Sequence, residues 1–243
     1  DLARRQRVPA LGHYVQARDL CPLLPEPHLE IAALYDLLGR AEPRAAYLER
    51  AKRLAPSDPL LWFLYGVEEQ LDGRPESAWR SWRRSLELSD RYRQDILELS
   101  AQQLAPVAIA REVIPDRPEI LLAAATSLYP DPRDKAKRRP FLERALVLLG
   151  RRPGPVPAAE LHLRALVQVA LERPEEALSA YRQALALEPL QVEWRFEFAR
   201  LLHEQGRDQE AYAELRTVLG LRPDHPPALA LRDAVARRIA EEK

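Results

Sequence analysis

The 243-residue chain has no methionine and a single cysteine, Cys21. One cysteine can neither close a disulfide within the chain nor build a cysteine-rich metal site. Methionine is missing even at position 1, so the sequence is expected to be a processed or truncated piece of a longer protein. Net charge is also missing, since 37 Lys and Arg balance 37 Asp and Glu. A general nucleic-acid binder needs surplus cations to displace counterions from phosphates, and a zero balance argues against one. No apolar run reaches the roughly 18 residues of a membrane span. The opening segment DLARRQRVPALGHY lacks the apolar stretch of a secretory signal.

Catalytic motifs are absent as well. The five histidines, His13, His28, His162, His203 and His225, are scattered along the chain. None sits in a nucleophile motif, and there is no G-x-S-x-G, HExxH or glycine-rich phosphate loop. Carboxylate neighbours such as Glu68 and Glu69 have the look of ordinary helix surface. The sequence therefore predicts no enzyme, no cofactor and no metal site.

What is present is apolar content and a repeat. Hydrophobic residues make up 47% of the chain, enough for a sizeable core. Pro22, Pro56 and Asp90 fall 34 residues apart, and so do Pro189 and Pro223. Tyr14, Leu48 and Trp82 keep the same interval, as do Tyr181 and Leu215. Ala17, Ala51 and Ser85 keep it, as do Ala184 and Val218. Each interval reads as helix, turn, helix, turn. Gly39, Gly73 and Gly206 follow the first helix, where a left-handed cap is wanted. Pro43, Pro75 and Pro174 stand where the second helix opens and a missing N–H costs nothing. Small residues in the first helix, Ala32, Gly66, Ala165 and Ala199, let the second helix lie close. One such unit cannot bury its apolar face alone, so units must stack.

The pattern W-x2-Y-G, then G-x4-A-x3-W-x2-S, then a closing Pro or Asp, is nearly intact over 59–92. In this it resembles the tetratricopeptide repeat family. Units 25–58, 158–191 and 192–225 carry most of the pattern. Arg44 replaces the usual Ala, and Glu172 the usual Gly. The resemblance implies an all-α, right-handed superhelical solenoid of about six antiparallel helix pairs. Residues 1–24 read as the back half of a unit, so the native chain is expected to extend further toward its N-terminus. Residues 226–243 read as a capping helix. Between 93 and 157 the period fails, yet four helices are expected near 91–104, 106–113, 118–129 and 134–149. The sequence is read as one continuous domain.

In this family the first helices line a concave groove where partners lie. By matching positions, the groove here is expected to include Leu29, Asp36, Phe63, Val67, Gln70, His162, Leu166, Phe196, Arg200 and His203. A subtype of the family grips a C-terminal carboxylate with Lys, Asn and Arg. Leu29, Ala33 and Leu64 depart from that clamp. An apolar groove with acidic edges suits an amphipathic helix or an extended apolar segment instead. Phe63, Val67 and Leu166 can equally be packing between adjacent helices. The basic run RDKAKRR (133–139) and the cluster Arg80, Arg83, Arg84, Arg91 and Arg93 are interleaved with acids. Either is a solvated helix face or a contact for a phosphate or an acidic partner.

Two functions remain open at this level. One is a scaffold that binds a protein or peptide, of unknown identity, in the groove. The other is an architectural, spacer or oligomerisation domain of a larger protein, cytoplasmic or tethered to a membrane. The bias toward Arg, Leu, Ala and Pro suggests a bacterial genome rich in G and C.

Overall fold

The structure, a computed structural model, describes residues 2–37, 42–151 and 154–241, with the backbone alone for 2–6. Among these residues there are fourteen α-helices and no strand. The chain forms two compact units, Asp1–Asp131 and Pro132–Lys243. The first holds α1 (Leu2–Leu20), α2 (Pro25–Ala33), α3 (Arg44–Leu54), α4 (Pro59–Leu71), α5 (Pro75–Leu88), α6 (Arg93–Ala101), α7 (Pro106–Ala108) and α8 (Pro118–Leu128). The second holds α9 (Lys135–Leu149), α10 (Ala158–Ala170), α11 (Pro174–Leu187), α12 (Val192–Glu204), α13 (Asp208–Leu221) and α14 (Pro226–Glu241).

The pair α4–α5 illustrates how sequence becomes a hairpin. Asp58 caps α4 by accepting from the backbone N–H groups of Leu60 (2.9 Å) and Leu61 (3.3 Å), which satisfies two orphan donors of the first turn. Pro59 opens the helix without wasting a donor. After α4 the chain reverses through Gly73 at φ +71°. On α5, Ala78, Ser81, Trp82, Ser85 and Leu86 are buried at three- and four-residue spacing. The Ser85 hydroxyl donates to the Pro59 carbonyl at 2.7 Å, the Trp82 indole N–H to the Phe63 carbonyl at 3.3 Å, and the Ser81 hydroxyl to Glu69 at 2.6 Å. Residue numbers rise on α4 as they fall on α5, so the helices run antiparallel. A Cβ on Gly66 would overlap the Trp82 ring, so only glycine admits the indole there. Ala32, Ala165 and Ala199 are fully buried at the same place in their own pairs.

The turns after the first helices share one backbone conformation, not one residue. Gly206 repeats Gly73 at φ +73°, but the third turn has Glu172 at φ +59°. A side chain in that region costs about 1 kcal/mol, and glycine avoids the cost. Glu172 keeps an exposed ion pair with Lys135 at 2.5 Å. Gly39 lies outside the described residues.

Three of the turns that close a unit are held by a lock that the repeat pattern does not spell out. His28 Nε2 donates to the Pro22 carbonyl (3.1 Å), Trp62 Nε1 to Pro56 (3.0 Å) and Arg195 Nη2 to Pro189 (2.8 Å). In each case the donor stands six residues after the proline. Histidine, tryptophan and arginine share no size or charge, but each presents an N–H at the end of a long side chain. Leu161, the matching residue in unit 158–191, has no donor.

The irregular stretch contains the expected four helices. These are α6, then α7 running into one π-helical turn at Ile109–Val113, then α8 and α9. Within the first unit Arg83 ties the π turn to α5, donating to the Arg111 carbonyl (3.1 Å) and pairing with Asp116 (3.4 Å). In the second unit α14 caps the stack with Ala228 and Val235 buried. Its first turn is capped by His225, whose Nδ1 accepts from the Ala228 N–H at 3.1 Å. Nε2 therefore carries the proton, and it faces Glu193 at 3.4 Å.

Candidate functional site

The first-helix residues singled out from the sequence fall into two groups, one in each unit. In the first unit Leu29 is 4% exposed and belongs to the same core cluster as Leu11 of α1. Its side chain is core and offers no binding surface, because α1 brings apolar surface to the same cluster. Asp36 is exposed in a short 3-10 turn, 3.6 Å from Arg44. The Arg44 head also lies 3.8 Å from Glu68 and 3.9 Å from Asp72, and its side chain is mostly buried. The unusual arginine is thus a hub for three carboxylates. Burial pushes the Glu68 carboxyl above its ordinary range, and Arg44 only partly offsets this. Phe63 is half-buried and stacked on Tyr92, with centroids 5.3 Å apart and planes within 3°. Val67 and Gln70 are half-buried on α4.

In the second unit α10 and α12 carry a denser arrangement. His162 stacks on Trp194 at 4.6 Å and donates from Nε2 to Glu197 at 2.6 Å. The Tyr181 hydroxyl donates to the same carboxylate oxygen at 3.3 Å. Burial, and then Glu197, push the Tyr181 hydroxyl well above its ordinary range, so it stays a donor. Two donors from two helices hold Glu197 in one orientation. Phe196 meets the ring of His225 at 5.0 Å. Leu166 is half-buried against the core. Arg200 is exposed, 3.7 Å from Glu204. His203 points its Nδ1 at the buried Asp208, 2.5 Å away, which also meets Arg238 of α14 at 2.9 Å. His203 is therefore part of the lock between α12, α13 and α14.

Sequence reading missed the partners of these residues, namely Tyr92, Trp194, Glu197 and His225. A signal existed for three of them. Phe63 to Tyr92 and Phe196 to His225 span the same 29 residues, so both partners stand at the last position of a unit. Glu197 matches Glu30 of unit 25–58, just as its partner Tyr181 matches Tyr14. Trp194 has no counterpart in the other units, and no periodicity marks it.

Among the described residues no cluster of three His, Cys, Asp or Glu could hold a metal ion. No helix among them is long and apolar enough to cross a membrane. No curated protein matches the chain in sequence. Solved structures with a similar fold include a thermophilic TPR protein of Thermus thermophilus, 23% identical. The similarity covers 87% of this chain and 98% of that one, at a TM-score of 0.45. Yeast Tom70 is 17% identical over 92% of this chain and 49% of its own, at 0.44. The APC/C hetero-tetramer Cut9-Hcn1 is 16% identical over 91% and 44%, at 0.43. The chain spans less than half the length of the last two, and no function of this chain follows from any of the three. The family model described as tetratricopeptide repeat matches residues 168–235. These residues run from the end of α10 into α14 and include the buried Ala199 and the left-handed turns at Glu172 and Gly206. Over residues 168–235 the chain is thus similar to the tetratricopeptide repeat family.

Proposed function

We propose that the protein is a scaffold that binds an extended or helical segment of another protein on the first-helix faces of its units. The observation that carries this reading is the row of half-buried rings on α10 and α12. His162, Trp194 and Phe196 each keep part of their surface open beside the exposed Arg200. Aromatic surface with few torsions to freeze, next to a charge, is typical of binding hot spots. Glu197, already fixed by His162 and Tyr181, is preorganised to receive a cation or an N–H from a partner. Phe63, Val67 and Gln70 supply a smaller surface of the same kind in the first unit.

The competing reading, an architectural or spacer domain, has one observation in its favour. Phe63 and Phe196 already have intramolecular ring partners in Tyr92 and His225. The two readings separate in a capture experiment from the protein's own cell extract. Wild type is compared with Phe63→Ala/Phe196→Ala and with Arg200→Glu, and circular dichroism confirms that all three are folded. A scaffold loses its captured protein about tenfold or more with the ring variant. A spacer retains the same proteins in all three samples, or none in any.

A further inference from the structure

We infer that the loop between α1 and α2 is a docking element for an anionic lipid surface. Residues 20–24, Leu-Cys-Pro-Leu-Leu, are all exposed, with Leu20 at 79%, Leu23 at 75% and Leu24 at 46%. No polar side chain interrupts the run. Single exposed leucines are ordinary on a protein surface, but an unbroken exposed apolar run is not. The equivalent turns differ. Residues 54–58 include Ser57 and Asp58, and residues 187–191 include Glu188 and Gln191.

What lies beside the loop selects the partner. Pro22 forms one wall of a cavity of about 640 Å³ that is also lined by Arg18, Arg50 and Arg53. Asp19 pairs with Arg18 at 2.7 Å and Glu42 with Arg50 at 2.5 Å. Among the described residues Arg53, exposed, makes no such pair, so the lining carries one net positive charge. An apolar tip that protrudes next to arginines matches the two layers of a membrane interface. The leucines enter the acyl boundary while guanidinium groups meet headgroup phosphates. The turn at 187–191, with Leu187 at 59% and Leu190 at 73%, serves as an internal control. It has comparable leucines but Glu188 in the turn, where the loop has Cys21, and an anionic surface repels that carboxylate.

The test is co-sedimentation of the whole chain with vesicles of phosphatidylcholine, with and without phosphatidylserine. Binding is expected only with phosphatidylserine, and it should weaken as salt rises. Leu20→Asp/Leu23→Asp should abolish it. Arg53→Glu, a change of two charges, should weaken it about thirtyfold. Leu187→Asp/Leu190→Asp should leave it unchanged. All these side chains are exposed, so loss of fold does not confuse the result. The inference is overturned by any of three outcomes: no vesicle binding at low salt, undiminished binding by the Leu20/Leu23 variant, or full competition by inorganic phosphate. The last would make the cavity a small-anion site with no role for the loop.

Discussion

The hairpins α4–α5 and α12–α13 occupy the same place in the repeat and solve the same packing problem differently. In the first, Gly66 opens a notch that the Trp82 ring fills. In the second, Ala199 and the smaller Leu215 hold the matching positions, and both are fully buried in one core cluster. What is removed from one helix is matched by what is added to the other, as dense packing demands. The polar locks differ as well. Glu69 is fully buried in the last turn of α4, held by Lys52 of α3 at 2.5 Å and by Ser81 of α5 at 2.6 Å. Asp208 sits at the start of its helix and joins His203 to Arg238 of α14. One lock fastens its hairpin to the preceding pair, and the other to the following helix. The difference teaches that the repeat specifies shape and leaves the choice of polar glue open.

The largest test of that contrast is to remove each acid. Glu69→Ala leaves Lys52 mostly buried without its close partner, and should cost about 3 kcal/mol of stability. That is the low end for a broken buried pair, because Lys52 retains Glu49 at 3.3 Å. Asp208→Ala should cost less, about 1–2 kcal/mol, since Arg238 is half exposed and can turn to water. Denaturant unfolding of both variants checks the order. Equal losses would remove the distinction between the locks.

A smaller effect tests the matched notch. Gly66→Ala should cost about 2 kcal/mol by overpacking against Trp82. Trp82→Leu alone leaves a cavity and should cost about 3 kcal/mol. The double variant imitates the Ala199–Leu215 pair, so its loss should fall short of the sum by at least about 1 kcal/mol. Strict additivity would show that the two positions do not share a notch.

The smallest expected effect concerns the turns. Glu172 adopts the conformation that glycine provides in the equivalent turns at Gly73 and Gly206. Glu172→Gly should stabilise the second unit by about 0.5–1 kcal/mol, after subtracting the exposed pair with Lys135. Gly206→Ala should destabilise it by a similar amount. Thermal unfolding of both variants reads the two signs.

Much of this was legible in advance. The 34-residue spacing of Pro22, Pro56 and Asp90, and of Pro189 and Pro223, located the helix pairs, because helix stops recur wherever a repeat closes. The small residues Ala32, Gly66, Ala165 and Ala199 named the closest helix contacts. The four helices of the irregular stretch stand close to their expected limits. The candidate site was less legible. Leu29 matched a groove position yet lies in the core, since neighbours outside its own unit decide exposure. Trp194 and Glu197 were missed because their role depends on His162, more than thirty residues away.

The sequence by itself determined an all-helical chain of paired helices, with its small residues and its left-handed turns in register. Those features depend on contacts within one unit, which a 34-residue period encodes. Only the tertiary structure decided which side chains complete a polar lock, which rings find partners, and where the chain divides into compact units. His28, Trp62 and Arg195 show the reason. At three turns an N–H meets the carbonyl of the closing proline, and three unlike residues supply it, so no pattern of residue types could announce the contact.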